Sequence, residues 1–460
     1  MKSLEGRPSR YPSGVFTTAL EGARLVREGR LSPVEVAEES FRRIDAWQSE
    51  TNAFSQLRPE ETLAEARALA DGLARGREAG PLCGVPVAIK DLFDVEGWET
   101  TGCCAGYRGR VAKRDAEVVR RLREAGAVVV GKTNQHELAA GGTNLVSACG
   151  PTRNPWDQAR LTGGSSGGSG AAVASRCVPL ALGTDTGGSV RIPASLCGIT
   201  GLKPTYGLVS LDGVMPLAPS MDTVGPMATT IDDVALSFGV LTGRPEEPSR
   251  SAPLRVGAVG TFVEPGRPDM MAAVEAVFDA LREEGAVVEP VGDLRYEPDD
   301  WGRLAWRELY EAHGHLLDEQ GSLQRPTREF MEQGRDITPD EVDAARRRGA
   351  ALRADFTAML ERADVLVVPA TAFPAPRMEE IEVSAGDGRT LNVRKGGISL
   401  LTRPVNLAGL PSLAFPAAFS AEGLPLGVQV IGSPGEEGTL LGIGKAWQVR
   451  TDHHLKEPAL

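Results

Sequence analysis

Two glycine loops, each with serine, and one upstream lysine are the residues of this chain best suited to chemistry. The loops read Gly163-Gly164-Ser165-Ser166-Gly167-Gly168-Ser169 and Gly183-Thr184-Asp185-Thr186-Gly187-Gly188-Ser189. Lys90 ends the apolar run Val85-Pro86-Val87-Ala88-Ile89. Glycine tolerates positive φ and lets backbone N–H groups approach a ligand without a Cβ in the way. A serine in such a loop can be a nucleophile whose own loop receives the developing oxyanion. Lysine can act as the base if burial and nearby dipoles keep it neutral. Two serines, one lysine and many backbone donors are enough for acyl transfer without histidine.

Histidine is poorly placed for the usual serine chemistry. His453 and His454 lie in a polar C-terminal tail, where fraying is expected. His313 and His315 are two apart on an expected helix and do not share a face. His136 follows Gly131-Lys132-Thr133-Asn134-Gln135 and is the one histidine that could lie near a pocket. The first loop is not a phosphate cradle, because a P-loop ends in Gly-Lys-Ser/Thr and this one ends Gly168-Ser169-Gly170-Ala171. A dinucleotide fingerprint is also disfavoured, since no clean strand is expected before Gly163. Nor does it read as a linker, because the flanking Ala171–Ala174 and Pro179–Leu182 are apolar.

These motifs resemble the amidase signature family of serine hydrolases. The resemblance runs from about Gly84 to Ala235 and includes Gly84–Asp91, Gly131–Asn134, Asn154-Pro155-Trp156 and the run from Gly163 to Thr205. It returns at Asn406–Pro411 and Leu424–Gln429, while roughly 244–360 carries little of it. The resemblance implies that Ser189 is the acylated nucleophile, that Ser165 bridges after a cis peptide bond, and that Lys90 is the terminal base. It implies oxyanion donors at Thr186, Gly187, Gly188 and Ser189, with Asp185, Arg191 and Ser166 in support. Gly141, Gly142 and Thr143 fall where the family borders its acyl pocket, and two glycines there suggest room for a bulky group. The implied fold is α/β: one large domain, residues 1–460, with a central mixed, mostly parallel twisted sheet flanked by helices on both faces. Its signature core would span about 80–235, a specificity-setting segment about 244–400, and a return to the core sheet about 401–450.

The element pattern agrees with that expectation. Ser32-Pro33-Val34-Glu35 reads as an N-cap, a first-turn proline and a capping-box glutamate. Glu60–Arg75, Asp115–Ala125 and Met270–Glu284 read as helices; Ala127–Val130, Ala286–Val291, Asp364–Pro369 and Pro425–Ile431 read as strands. Such alternation predicts helices on both faces of a sheet. Trp301–Gln320 reads as an amphipathic helix, and Gln333–Arg348 as a charged, solvated one. Trp301, Trp306 and Tyr310 are expected to pack on the core, or else to line a pocket mouth. Pro245–Ser251 is the best linker.

Composition narrows the class. At 460 residues with a formal net charge of −12, the chain is not suited to nucleic acid by charge. No apolar run reaches membrane-spanning length, and the N-terminus lacks a signal-peptide layout, so a cytoplasmic location is expected. Six cysteines show no zinc spacing and are expected to be buried thiols; no metal and no cofactor is expected. Two functions remain. One is a free-standing hydrolase of small-molecule amides, extending to esters and carbamates, working as a monomer or homodimer without nucleic acid or membrane. The other is the glutaminase subunit of a tRNA-dependent amidotransferase, which passes ammonia to a partner. Thr402–Asn406 and Trp306–Leu309 look more like free-standing amidases, so the first reading is preferred.

Overall fold

The computed structural model describes residues 18–249, 253–260, 266–294, 296–385 and 389–460. The strands in chain order begin with β1 (Phe54–Leu57), β2 (Pro86–Lys90), β3 (Val128–Thr133), β4 (Arg153–Asn154), β5 (Asp157–Leu161), β6 (Leu180–Thr184), β7 (Thr200–Lys203) and β8 (Val224–Ala228). They continue with β9 (Arg255–Val259), β10 (Val287–Gly292), β11 (Val365–Pro369), β12 (Glu382–Ser384), β13 (Thr390–Asn392), β14 (Ser412–Phe419) and β15 (Pro425–Gly432). Eleven of them form one mixed sheet in the order β1-β3-β2-β6-β8-β7-β14-β15-β11-β9-β10. The strands of the first and second halves of the chain therefore meet in its middle, at β7 and β14.

Side-chain size alternates along the central strands, because successive residues point to opposite faces. Val87, Ile89, Leu180, Leu182, Leu413 and Phe415 face one core, under the helices Glu117–Glu124, Ile231–Thr242, Pro268–Glu283 and Glu437–Arg450. Ala88, Ala181 and Ala414 face the other, under Pro33–Thr51, Gly167–Ala174 and Arg191–Cys197. The large residues bury area at about 25 cal/mol per Å². The alanines instead allow the glycine- and alanine-rich helix Gly167–Ala174 to lie close to the sheet. Lys90 is two residues beyond Ala88, so it points to that same side.

The mixed sheet and its two helical layers match expectation; the parallel majority does not. Parallel pairing is confined to β3-β2-β6 and β11-β9-β10, and the other six neighbouring pairs are antiparallel. Two of the reversals come where a loop rather than a helix joins strands that are consecutive in the chain. Residues 204–223 connect β7 to β8, and 420–424 connect β14 to β15. Antiparallel neighbours need no crossover helix, so helix–strand alternation elsewhere said nothing about them.

Local signals held where the chemistry of the cap was explicit. Ser32 Oγ accepts from Val34 N–H at 3.2 Å and Ser32 N–H donates to Glu35 at 2.9 Å, starting the helix Pro33–Thr51. The helix expected over Gln333–Arg348 is instead the end of one, Arg325–Asp336, and the start of another, Pro339–Arg362. Thr338 caps the second with Pro339 at its first turn and Glu341 closing the box. That is the signature already recognised at Ser32, and it marks a break. A strand, β5, does precede Gly163; its Asp-Gln-Ala-Arg-Leu sequence alternates too weakly to announce it. The tail does not fray: His454 is buried, and Arg176 donates to the carbonyls of His454 at 3.0 Å and Lys456 at 3.3 Å. Of the linker Pro245–Ser251, Arg250 and Ser251 lie outside the described residues, as does the N-terminal stretch 1–17 weighed as a leader. No helix among the described residues is long and apolar enough to cross a membrane.

Candidate active site

The site forms at the carboxyl edge of the parallel pair β2 and β6, whose register sets Ile89 beside Leu182. Lys90 ends β2 and Thr184 ends β6, so the two side chains meet just beyond the sheet. Lys90 Nζ lies 2.7 Å from Ser165 Oγ and 2.8 Å from Thr184 Oγ1. The lysine is 0% exposed. Burial lowers its pKa to about 7, against the opposing pull of the Asp222 and Asp185 carboxylates. A neutral amine is therefore accessible near pH 7, and its partners are hydroxyls that can give or take a proton.

The two serine loops close over this pair. The peptide Gly164–Ser165 is cis. Ser166 N–H donates to the Ser189 carbonyl at 3.2 Å, tying the loops together. Ser166 Oγ donates to the Thr184 carbonyl at 3.2 Å and receives Thr184 N–H at 3.3 Å, so this hydroxyl is engaged by the backbone. Ser189 sits at the rim, 6% exposed. Asp185 shapes its loop from beneath. Its carboxylate accepts N–H groups from Gly188 at 2.8 Å and Val190 at 3.2 Å, and two guanidinium contacts from Arg191 at 3.0 Å. Burial alone would push this carboxyl up, but Arg191, Lys203 and Asn406 outweigh it and hold it well below the usual range. Because Gly188 N–H is committed to Asp185, the expected oxyanion set narrows. Among the described residues, the N–H groups of Thr186, Gly187 and Ser189 have no acceptor within the protein. Gly188 itself has φ +118, and a Cβ there would lie 2.1 Å from Thr402 Oγ1.

Arg191 is the keystone of this support. It also reaches Gln429 at 2.8 Å, Asn406 at 2.7 Å and the Thr402 carbonyl at 3.1 Å, and it is fully buried. Arg191→Ala would leave the Asp185 carboxylate buried without its cation. Loss of about 3–5 kcal/mol is expected in urea unfolding, together with loss of activity. A change under about 1 kcal/mol would show that the loop does not depend on this pair.

Other expected site residues fall differently. The gaps left by Gly141 and Gly142 are filled by protein, not left for a bulky group. A Cβ on Gly141 would lie 2.3 Å from the His136 ring, and one on Gly142 would lie 2.7 Å from Ile398. Thr143 Oγ1 lies 3.5 Å from His136 Nδ1, which accepts Asn144 N–H at 3.2 Å. Burial first, and Lys90 second, lower the His136 pKa to about 3, so this imidazole is neutral and structural. The His136 backbone N–H donates to the Ser165 carbonyl at 3.1 Å, which helps fix that serine. His313 is held elsewhere, between Tyr107 and the Pro216 carbonyl. Two further lysines are fully buried, but Lys132 pairs with Asp91 at 2.9 Å and Lys203 donates to the Pro204 carbonyl at 2.9 Å. Only Lys90 of the three meets a serine hydroxyl. Among the cysteines Cys149 is exposed, contrary to expectation. No group of His, Cys, Asp and Glu that could hold a metal occurs among the described residues.

Several contributors to the loops had no role there expected from the sequence. Asp222 accepts Thr186 Oγ1–H at 2.6 Å and two backbone N–H groups, Leu217 at 3.0 Å and Ala218 at 3.1 Å. Thr402 Oγ1 donates to the Gly187 carbonyl at 2.6 Å. Trp301, from the segment of little resemblance, donates its Nε1–H to the Thr186 carbonyl at 2.8 Å and lies against Gly187. Trp306 packs as expected, stacked on Phe330 at 4.2 Å.

Known proteins resemble this arrangement along nearly its whole length. The amidase family profile matches residues 35–441. A glutamyl-tRNA(Gln) amidotransferase subunit of Chloroflexus aggregans is 36% identical over 97% of this chain and 98% of its own. A solved chain from a vestigial protein complex, studied for the evolutionary origins of an s-triazine catabolic enzyme, superposes with a TM-score of 0.89. It is 34% identical, covering 94% of this chain and 98% of its own. The corresponding glutamyl-tRNA(Gln) amidotransferase subunit of Thermotoga maritima superposes with a TM-score of 0.79 at 30% identity, covering 96% and 98%. These findings overturn the expectation of a monomer or homodimer that meets only small molecules and no nucleic acid. Relatives this similar are named as one subunit of an enzyme that serves a tRNA. By the match across most of its length, the chain belongs to the amidase family, the amidase signature enzymes.

Proposed function

We propose that this amidase cleaves a C–N amide bond through an acyl-enzyme on Ser189. The observation that carries the reading is the 2.7 Å contact from buried Lys90 Nζ to Ser165 Oγ, beside a loop in which the Thr186, Gly187 and Ser189 N–H groups have no acceptor among the described residues. Neutral Lys90 takes the Ser165 proton as Ser165 takes that of Ser189. Ser189 Oγ attacks the carbonyl carbon, and the oxyanion is received by Thr186, Gly187 and Ser189 N–H. The proton returns through Ser165 to the leaving nitrogen as the C–N bond breaks. Water then releases the acid by the same relay. Asp185, Arg191 and Ser166 hold the loops in place.

For the substrate, the relatives favour the side-chain amide of glutamine, with the ammonia delivered inside an assembly that includes partner subunits and tRNA. A second reading, hydrolysis of free small amides and carbamates, is supported by the closer superposition on the s-triazine-related chain than on the amidotransferase chain. The test is ammonia release from glutamine by the chain alone and with co-purified partners and tRNA, alongside anilides, simple primary amides and aryl carbamates. Glutamine turnover that needs the partners is expected. Turnover of anilides or carbamates by the chain alone, with glutamine untouched in every arm, would establish the second reading instead. No turnover of any amide would remove both.

A further inference from the structure

We propose that Arg403 is the counter-ion for a carboxylate on the amide substrate, an assignment that rests on amide cleavage at Ser189. Arg403 opens the short helix Arg403–Ala408, and both its flanks are fastened to the acylation loop. On one side Thr402 holds the Gly187 carbonyl at 2.6 Å; on the other Asn406 donates to Asp185 at 2.8 Å. The guanidinium lies 4.0 Å from the centre of the Trp301 ring. That ring in turn abuts Gly187 so closely that a Cβ there would lie 2.8 Å from it. The cation is thus one indole away from the loop in which the scissile carbonyl would sit.

Arg403 combines a buried, unpartnered Nε with the lack of any carboxylate at ion-pair distance among the described residues, Asp299 acting on it only from farther away. Arg191 has Asp185, Arg348 has Asp300 and Arg176 has Glu457, each within 3.4 Å. Among the described residues Arg403 forms no ion pair, and its Nε is closed off from solvent without a hydrogen-bond partner. Tyr296 Oη is in the same condition. The two groups sense each other electrostatically, and burial weakens the charged form of both. Stacking on an indole satisfies the face of a guanidinium but none of its N–H groups. Leaving a buried donor such as Nε unpaired is costly. A planar acceptor with two oxygens matches a guanidinium edge, and Tyr296 Oη–H adds a third donor. Gly396 lets the chain pass close to the guanidinium, since a Cβ there would lie 2.6 Å from Arg403 Nη1. The arrangement selects amido acids, whether the carboxylate belongs to an amino acid such as glutamine or to a simple chain such as succinamate.

The experiment compares matched substrates that differ in that one group: succinamate with butyramide, and glutamine with glutaminol. Wild-type enzyme is expected to favour each acid in kcat/KM, and Arg403→Gln to lower that preference by roughly 10- to 100-fold, mainly through KM. Arg403→Lys should recover only part, since it keeps the charge and loses the fork. A wild type indifferent to the carboxylate, or an acid-to-neutral ratio unchanged in Arg403→Gln, overturns the assignment. Calorimetric titration of Ser189→Ala protein with succinamate and butyramide separates the two levels. Binding of succinamate that depends on Arg403, in a protein that hydrolyses no amide, would sink the hydrolase and keep the anion site. Hydrolysis with no such binding would do the reverse.

Discussion

Ser189→Ala is expected to lower kcat by on the order of 10⁴- to 10⁶-fold, as loss of the nucleophile does in other serine hydrolases, while leaving the protein folded. Three serines compete for the role, and their surroundings separate them. Ser166 Oγ is held by both backbone groups of Thr184. Ser165 Oγ faces Lys90 and is fully buried behind the loop. Ser189 alone sits at the rim, beside N–H groups left without acceptors. Removing its hydroxyl leaves the contacts among Asp185, Arg191 and Asn406 intact, so the thermal midpoint should move by no more than a few degrees. A serine-directed phosphonate should add to Ser189, located by peptide mass spectrometry. An adduct on Ser165, or a Ser189→Ala enzyme within tenfold of wild type, would show that the two serines have exchanged roles.

Much of this centre could be read from the chain because its parts are short and local. Lys90 ends an apolar strand, and each glycine loop names its own serine. What surrounds them was not readable in the same way. Thr402, Asn406 and Gln429 act on Asp185, Gly187 or Arg191 from more than two hundred residues away, and nothing local marks a threonine as the partner of a distant carbonyl. Gly141 and Gly142 show the opposite failure. A glycine says that a Cβ is missing, not what occupies the space, and here His136 and Ile398 occupy it. Sheet direction was misjudged for a related reason. A helix between two strands implies a parallel pair, but the long loop from β7 to β8 left the direction open. The question of partners lay beyond the motifs altogether. The proposed serines and lysine would open glutamine and a free amide alike, so only the surroundings and the relatives bear on it.

Lys90 carries the second large expectation, and its sign follows from its burial. A lysine in water holds its proton until about pH 10.4. Here removal from solvent lowers that point to about 7, although Asp222 and Asp185 pull it back up. The relay requires the neutral amine, so kcat/KM should rise with pH, about tenfold per unit well below the midpoint, and level off above it. Lys90→Ala should lose at least about 10³-fold and flatten the limb, because among the described residues Lys90 Nζ is the one base in hydrogen-bond contact with Ser165 Oγ. Lys90→Arg should not rescue, since a guanidinium stays charged across this range. Asp222 provides a check on the assignment of the limb. Its charge favours protonated Lys90, so Asp222→Asn should shift the midpoint to lower pH, with the base still present. If the limb instead titrated His136, the curve would fall near pH 3 and the range from 6 to 8 would be flat. A wild-type profile that declines between pH 6 and 8, or a Lys90→Arg enzyme of full activity, would remove lysine as the base. So would an Asp222→Asn limb shifted upward, because a lost negative charge cannot raise the pKa of a neighbouring amine.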